Sequence, residues 1–231
     1  MKVTGSACEE LRTECASIWD GLHAHPFLRE LARGTLPLEK FRFFMEQDIL
    51  YLREYARCLA MGAAKSRNEE ELRSFTVDMT AVIDSEIPSN RELLSRVISL
   101  GAQDRGGGLA MAPANVAYTS YLSALGLRGG PLEIMAAVLP CAWSYQEIAA
   151  RLEPERADHP VYSGWIAYFT DRENVALIDK MRLDFDMLVA EERPSEVRAA
   201  ELLDIFATSS RLEGGFWDMA YRLEQWPDLL R

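Results

Sequence analysis

The sequence predicts an all-α protein, a helical bundle built as a single domain. Along almost the whole chain, apolar residues recur with the period of about 3.6 residues that is typical of helices. No segment shows the two-residue alternation and the β-branched residues of a strand. The chain has 231 residues, 48% of them hydrophobic, which is enough to enclose one sizeable core. Because no linker, repeat or low-complexity tract interrupts the pattern, we place no domain boundary within residues 1–231.

Helix start and stop signals divide the chain into helices joined by short turns. In the N-terminal half we predict a helix over residues 6–22, a short piece, "HPFLREL", stopped by Gly34, and helices over 38–65 and 68–85. Pro88 is expected to bend or end the last of these, which resumes at residue 90 and stops at Gly101. Residues 102–113, "AQDRGGGLAMAP", are predicted to be a loop because of the three consecutive glycines. Further helices are predicted over 114–125, 131–153, 161–169, 172–192 and 195–224.

The charge of the chain argues against two classes of partner. It has 25 Lys and Arg residues against 36 Asp and Glu residues, so its net charge of −11 repels the phosphates of nucleic acids and anionic lipid headgroups. No stretch reaches the roughly 18 consecutive apolar residues of a membrane helix, and the first ten residues lack the apolar run of a signal peptide. We therefore expect a cytoplasmic protein that binds neither nucleic acid nor membrane.

Neither the cysteines nor the histidines follow a disulfide or metal-binding pattern. The cysteines have no Cys-x-x-Cys spacing and are expected to be reduced: Cys8, Cys15, Cys58 and Cys141. The histidines number only three, and the Glu-x-x-His pairs of a di-iron bundle are absent: His23, His25 and His159. His23 and His25 are interpreted as residues of a helix end or cap before Pro26. No metal site is expected.

Asp48 places a carboxylate on an apolar helix face. In "FRFFMEQDILYLREY", the residues at −7, −4, +3 and +7 on the same face are Phe41, Phe44, Tyr51 and Tyr55. An unpaired carboxylate in that position costs on the order of several kcal/mol, so Asp48 needs a hydrogen-bonding partner from the protein or a ligand. A structural ion pair with an arginine is the competing interpretation.

Glu213 repeats this pattern near the C-terminus. In "IFATSSRLEGGFWDMAY", it shares a face with Phe206, Ser209, Phe216 and Trp217. A second carboxylate is therefore predicted to face inward, and the arginine ion pair is again the competing interpretation.

Cys141 and Tyr145 share a third helix face. In "LPCAWSYQEIA", Pro140 removes one intrahelical hydrogen bond, so the helix is expected to kink where the thiol emerges. Taken alone, Cys141 is better interpreted as a small buried hydrophobe, and each tyrosine as a core aromatic. The combination of a thiol, two inward carboxylates and several tyrosines in one small domain is what favours a ligand site.

Five segments, spread nearly from end to end, carry a family resemblance. They are "HPFLRELARGTLPLEKFRFFMEQDILYL", "AYTSYL", "LPCAWSYQEIA", "HPVYSGWIAYF" and "EGGFWDMAYRLEQW". The chain resembles the TenA family (thiaminase II, or aminopyrimidine aminohydrolase), in its cysteine-containing class. That family shares its fold with haem oxygenase and the pyrroloquinoline-quinone synthesis oxidase. The resemblance therefore implies a haem-oxygenase-like bundle, assembled as a homotetramer.

The resemblance also implies roles for eight residues. Cys141 corresponds to the nucleophile and Glu213 to the acid that protonates the substrate ring. Asp48 corresponds to the carboxylate that holds the aminopyrimidine, and Tyr51 to the tyrosine near the thiol. The other residues that contact the substrate correspond to Tyr118, Tyr145, Tyr168 and Phe216. Tyr168 is preferred to Tyr162 because it is the second tyrosine of "YSGWIAY".

One segment departs from the family pattern. Many members have a glutamate followed four residues later by a histidine, whereas this chain has Glu86 followed by Asn90, with Pro88 between them. The replacement bears on the local helix geometry and on the substrate range or subunit contacts, and not on the nucleophile.

The implied reaction is the hydrolysis of an aminomethyl-substituted pyrimidine, or of thiamin, to the hydroxymethylpyrimidine without a cofactor. A thiolate adds to a ring carbon while a ring nitrogen is protonated, the amine is expelled, water adds and the thiol leaves. The surroundings of Cys141 are expected to activate its thiol. Two alternatives stay open. One is a haem- or quinone-type oxidoreductase on the same fold, with His23 or His25 as a haem ligand, and the other is a non-catalytic pyrimidine-binding regulator.

Overall fold

The computed structural model describes residues 5–103 and 110–227, and within these ranges the chain is helical and contains no β-strand. The all-α prediction is confirmed. The glycines of the predicted loop at 102–113 lie outside the described residues. The α-helices, in chain order, are α1 (Ala7–Glu14), α2 (Ala16–His23), α3 (Pro26–Ala32), α4 (Leu38–Lys65), α5 (Glu69–Ala81), α6 (Ile87–Ser99), α7 (Pro113–Arg128), α8 (Pro131–Leu152), α9 (Tyr162–Thr170), α10 (Arg172–Glu192) and α11 (Glu196–Arg222).

Three long helices, α4, α8 and α11, form the centre of the bundle. Helices α5, α6 and α7 pack on α4, and α9 and α10 pack on α8. Trp217 of α11 joins the three central helices, with ring centroids 4.9 Å from Phe44 and 5.0 Å from Tyr145. Because Trp217 lies one turn after Glu213 on α11, the core contact that fixes this helix also fixes the inward direction of that carboxylate. Among the described helices, none is long and apolar enough to cross a lipid bilayer.

A buried polar tie fixes α7 against α4. The side-chain amide of Asn115 donates to the backbone carbonyl of Gln47, at 2.8 Å, and to its side-chain oxygen, at 3.0 Å. That same side-chain oxygen accepts from the backbone of Ala112, one residue before α7 begins. Tyr118 follows Asn115 by three residues and so projects from a similar side of α7. The tie therefore sets the position of the Tyr118 hydroxyl relative to α4.

Two predicted helices are interrupted. The helix predicted over residues 6–22 breaks at Cys15, so that α1 packs on α10 while α2 packs mainly on α11. The helix predicted over 68–85 passes at Val82–Glu86 into a π-helical turn, in which the backbone N–H of Ile87 bonds to the carbonyl of Val82. Pro88 does not end the helix: it lies just after the π-helical turn, and the backbone stays helical through Glu86 and Ile87 into α6.

Helix α8 continues through Pro140 as one α-helix from Pro131 to Leu152. Just before the thiol, the hydroxyl of Tyr55 donates a 3.1 Å hydrogen bond to the carbonyl of Val138. This contact joins α8 to α4 three residues before Cys141.

Candidate active site

Cys141 lines a small internal cavity between helices α4, α5, α8, α9 and α10. Its side chain is 7% exposed, and the cavity has a volume of about 40 Å³. Of the other residues expected at the site, Tyr145 and Tyr168 line the same cavity. The thiol is therefore not enclosed by aliphatic side chains alone, as a purely structural cysteine would be.

Glu213 lies beside the thiol. The hydroxyl of Tyr118 donates a 2.7 Å hydrogen bond to its carboxyl group. Burial raises the pKa of Glu213 to about 7, and hydrogen bonding to Tyr118 and to the thiol of Cys141 limits the rise. A carboxyl group with this pKa exists in both protonation states near neutral pH, which suits a group that must both donate and accept a proton.

Asp48 accepts a 2.7 Å hydrogen bond from the side-chain amide of Asn90. Burial raises the pKa of Asp48 well above its ordinary value, and the neighbouring acids Glu86 and Glu213 raise it further, while the bond from Asn90 lowers it. No arginine of the described ranges pairs with Asp48 or Glu213. The ion pair with an arginine, which was the competing interpretation of both Asp48 and Glu213, is therefore not found among the described residues.

The surroundings of Cys141 do not lower the pKa of its thiol, so the activation expected from the sequence has to come from a neighbouring base. Burial raises the pKa of Cys141 well above that of a free thiol, and Glu213, Glu86 and Asp48 add to the rise. The physical reason is that burial, together with three nearby acids, disfavours a negative charge on the sulfur. In the free protein the sulfur is therefore protonated at neutral pH, and it needs a base to become a nucleophile.

Aromatic rings enclose the acids and the thiol. Tyr51 lies with its ring centroid 4.8 Å from that of Tyr118 and 5.6 Å from that of Phe216. Its hydroxyl makes no fully formed hydrogen bond with another described residue, yet lies close enough to the thiol to lower the pKa of Cys141. Tyr145 packs on Trp217 from the other side. A flat ring is a ligand that such walls accommodate.

The two tyrosines weighed for one position have separate environments. Tyr168 is partly exposed, lines the cavity with Cys141, and its hydroxyl lies 3.5 Å from that of Ser85. The hydroxyl of Tyr162 instead donates to the backbone carbonyl of Leu36 at 2.6 Å, and its ring stacks on His159. The hydroxyl and the ring of Tyr162 are thus both engaged in contacts within the core.

Three polar residues of this region were missed as site residues by sequence reasoning: Glu86, Asn90 and Asp78. Glu86 is partly exposed and lines the cavity, and burial of its carboxyl raises its pKa to about 7. The π-helical turn that ends at Glu86 adds one residue to the helix and so sets which side chains face inward. Asp78 could have been found in the same way as Asp48, because it also lies on an apolar helix face, with Phe75 and Val82.

The histidines and the remaining cysteines lie apart from this cavity. His25 caps α3, with Nδ1 accepting from the backbone of Phe27, and its Nε2 lies 3.5 Å from Asp218. His23 lies 3.5 Å from Glu147. Cys58 is buried and donates to the carbonyl of Leu122, and burial raises its pKa to about 12. Within the described part of the chain, no group of three potential metal ligands is found.

Comparison with known proteins gives consistent matches over most of the chain. The TENA/THI-4/PQQC family model matches residues 12–223. The aminopyrimidine aminohydrolase of Halalkalibacterium halodurans is 37% identical over 224 residues, which cover 96% of this chain and 98% of that protein. The aminopyrimidine aminohydrolase of Helicobacter pylori is 35% identical over 208 residues, 89% of this chain and 94% of that protein.

Solved structures show the same fold. A TenA homologue from P. horikoshii OT3 superposes with a TM-score of 0.81 at 27% identity, over 94% of this chain and 99% of that one. A domain with a heme oxygenase-like fold from Shewanella denitrificans superposes with a TM-score of 0.69 at 13% identity, over 94% of this chain and 92% of that one. The haem-oxygenase-like architecture expected from the sequence is confirmed.

Proposed function

The chain belongs to the TENA/THI-4/PQQC family, and we propose that it is an aminopyrimidine aminohydrolase of the thiaminase II type. It hydrolyses the bond between the exocyclic methylene of an aminopyrimidine and the amine it carries, and yields the hydroxymethylpyrimidine used in thiamin salvage. The chemical assignment rests on one observation. The thiol of Cys141 and the carboxyl groups of Glu213 and Asp48 lie together in a single site lined by aromatic rings.

Asp48 is the anchor of the ring in this proposal. An aminopyrimidine presents a ring nitrogen beside an exocyclic amino group, and a carboxyl group pairs with that edge through two hydrogen bonds. The bond from Asn90 holds one oxygen of Asp48 in place and leaves the other available. Tyr51, Tyr145 and Phe216 then restrict the ring to one plane.

Cys141 and Glu213 carry out the covalent chemistry. Because the free thiol is protonated, Glu213 in its carboxylate form takes the proton as the sulfur adds to the ring carbon next to the one that bears the methylene. Glu213 delivers that proton to a ring nitrogen. The electron density gained by the ring expels the amine, water adds to the exposed methylene, and the sulfur leaves with the ring aromatic again. Tyr118 orients Glu213 throughout.

The test compares two substrates on three proteins. Purified wild-type protein is assayed with the aminomethylpyrimidine and with thiamin, and the hydroxymethylpyrimidine is detected by mass spectrometry. The matched controls are Cys141→Ser and Cys58→Ser, since both thiols are buried but only Cys141 lines the cavity. Product from the wild type and from Cys58→Ser, with little from Cys141→Ser, is the expected result. Absence of product from both substrates would refute the assignment, and the ratio of the two efficiencies identifies the physiological substrate.

We also propose a homotetramer in the cytoplasm, the assembly that the family resemblance implies. Large apolar side chains remain on the surface of the single chain, among them Leu127, which is 74% exposed, and Val197, which is 72% exposed. Apolar surface of this kind is what subunit contacts cover. A reducing compartment is consistent with a mechanism that needs a free thiol, and the cysteines of the described residues are unpaired. Light scattering on the 26.1 kDa chain tests the assembly.

A further inference from the structure

The cavity that Cys141 lines extends to a second polar group formed by Asp78 of α5 and Asn174 of α10. Asp78 is only 2% exposed, yet neither of its carboxyl oxygens has a hydrogen-bond partner among the described residues. The side-chain nitrogen of Asn174 is likewise buried without a partner there. Leaving such groups unpaired costs about 1–3 kcal/mol each, so their placement at one cavity calls for an occupant.

These groups lie away from the ring-binding acids. Along α4, Asp48 and Tyr55 are seven residues apart, which corresponds to about 10 Å of helix rise. Asp48 belongs to the end of the site that holds Asn90 and Glu213, whereas Tyr55 lines the cavity together with Asp78. Cys141 adjoins both ends, since it lines this cavity with Asp78, and its thiol is hydrogen-bonded to Glu213. The sulfur therefore has an anchor for the ring on one side and the Asp78 group on the other.

The nearest cation does not serve as a partner for Asp78. Lys180 reaches it electrostatically and opposes the rise that burial causes in the pKa of Asp78, which still stands at about 7. The ammonium of Lys180 is itself bonded to Asp184 and Ser74. Asp78 therefore keeps its capacity to bind a cation.

The size of the cavity limits what can occupy it. A volume of about 40 Å³ compares with roughly 10–15 Å³ for one water on the same measure. A few water-sized groups fit, and a second aromatic ring does not. On the α10 side the lining is apolar, formed by Leu177, Ile178 and Met181, so a positive charge there depends for its stabilisation on the two acids of the cavity, Asp78 and Glu86.

We propose that Asp78 anchors a subsite for a small ammonium ion, the amine released from the substrate. The inference rests on the proposed function. When the carbon–nitrogen bond breaks, its electron pair leaves with the nitrogen, and a substrate ammonium departs as ammonia that regains a proton. Substrate ammonium and water thus give the hydroxymethyl product and ammonium. The subsite holds that product and favours substrates that release ammonia over thiamin, whose leaving group is a ring.

Binding is tested directly, without turnover. In protein labelled with ¹³C-aspartate, the Asp78 side-chain carbon is assigned by its loss in Asp78→Asn, and methylammonium chloride is titrated at pH 7. A saturable shift of that signal is expected, with no such shift from sodium chloride or from the larger tetramethylammonium chloride. Equal responses to all three salts, or no saturable response, would show a water-filled void only and overturn the proposal.

Kinetics test the consequence for specificity. Asp78→Asn is expected to lower kcat/KM for the aminomethylpyrimidine by about 10- to 100-fold, as for loss of a charge-assisted hydrogen bond, and to change kcat/KM for thiamin by less than about threefold. Asp186→Asn is the matched control, an acid on α10 that bonds to the backbone of Cys8 and does not line the cavity. Equal losses on both substrates would contradict the subsite, whereas a wild type inactive on both would refute the proposed function and leave the titration as the test of ammonium binding.

Discussion

The side-chain amide of Asn90 and the carboxyl group of Asp48 are joined by a 2.7 Å hydrogen bond between α6 and α4. Asn90 stands where the family resemblance led us to expect a histidine, and the bond shows what Asn90 does in this chain. Asn90 supplies an uncharged hydrogen-bond donor to the buried carboxyl group of Asp48, whose charged neighbours, Glu86 and Glu213, are both acids.

Removal of this donor should weaken ring binding. The bond lowers the pKa of Asp48, so Asn90→Ala should raise that pKa and leave more of the anchor protonated. We expect KM for the aminopyrimidine to rise about tenfold, the value of one hydrogen bond to a charged group, and the acidic limb of kcat/KM to move to higher pH. Asn90→His, which restores a donor, should recover most of the loss. An unchanged pH profile in Asn90→Ala would mean that the bond is only structural.

Asp48→Ala should damage both binding and turnover, because the anchor acts in the ground state and the transition state alike. We expect KM to rise and kcat to fall, each by about tenfold or more. Steady-state kinetics and calorimetry with the hydroxymethylpyrimidine product measure the two effects separately. An Asp48→Ala enzyme with the wild-type KM and kcat would remove Asp48 from the site.

Glu213→Gln should damage turnover more than binding. Glutamine keeps the shape and can still accept the bond from Tyr118, but it cannot exchange a proton with the sulfur or the ring. We expect kcat to fall by about 100-fold or more, as for loss of a general acid–base group, with KM within about threefold of wild type. The opposite pattern, a raised KM with kcat preserved, would assign Glu213 to binding alone.

The buried acids should make the protein less stable as the pH rises. Folding raises the pKa of Glu213 from 4.5 to about 7, so between these values the folded state binds more protons than the unfolded state. The free energy of unfolding therefore falls as pH rises through that window, by at most about 3 kcal/mol for this group. Urea unfolding at pH 5, 6, 7 and 8 should show the decline, and Glu213→Gln should make it shallower.

Glu86 and Asp78 also have a pKa of about 7, so a residual slope is expected in Glu213→Gln. The control Glu92→Gln changes an exposed acid paired with Arg96 and should keep the wild-type slope. A slope that is equally steep in Glu213→Gln would contradict the raised pKa of Glu213.

The inward direction of three candidate site residues followed from local periodicity, whereas the other five and all the roles came from the family resemblance. Asp48, Glu213 and Cys141 each lie on an apolar helix face. Where the helix is regular, a position on that face predicts that the side chain points into the core. The boundaries of α4 were predicted for the same reason, since its stripe is unbroken from Leu38 to Lys65. Asp78 obeys the same rule and was overlooked.

Other features depend on contacts that a local pattern does not contain. The bond from Tyr118 to Glu213 joins residues 95 positions apart, and that from Asn90 to Asp48 joins residues 42 apart. The π-helical turn at Val82–Glu86 shifts the phase of the stripe, so Glu86 could not be placed by counting from α5. The rise in the thiol pKa could not be predicted from the sequence, because it results from burial and from three acids on three other elements.

The most direct measurement of the central claim is single-turnover kinetics of Cys141→Ser with the aminomethylpyrimidine, beside Cys58→Ser and calorimetric binding of the product. We expect Cys141→Ser to lose at least about 100-fold in turnover, as for loss of a covalent nucleophile, while it binds the pyrimidine as the wild type does and Cys58→Ser stays active. Turnover at the wild-type rate in Cys141→Ser would contradict the covalent mechanism.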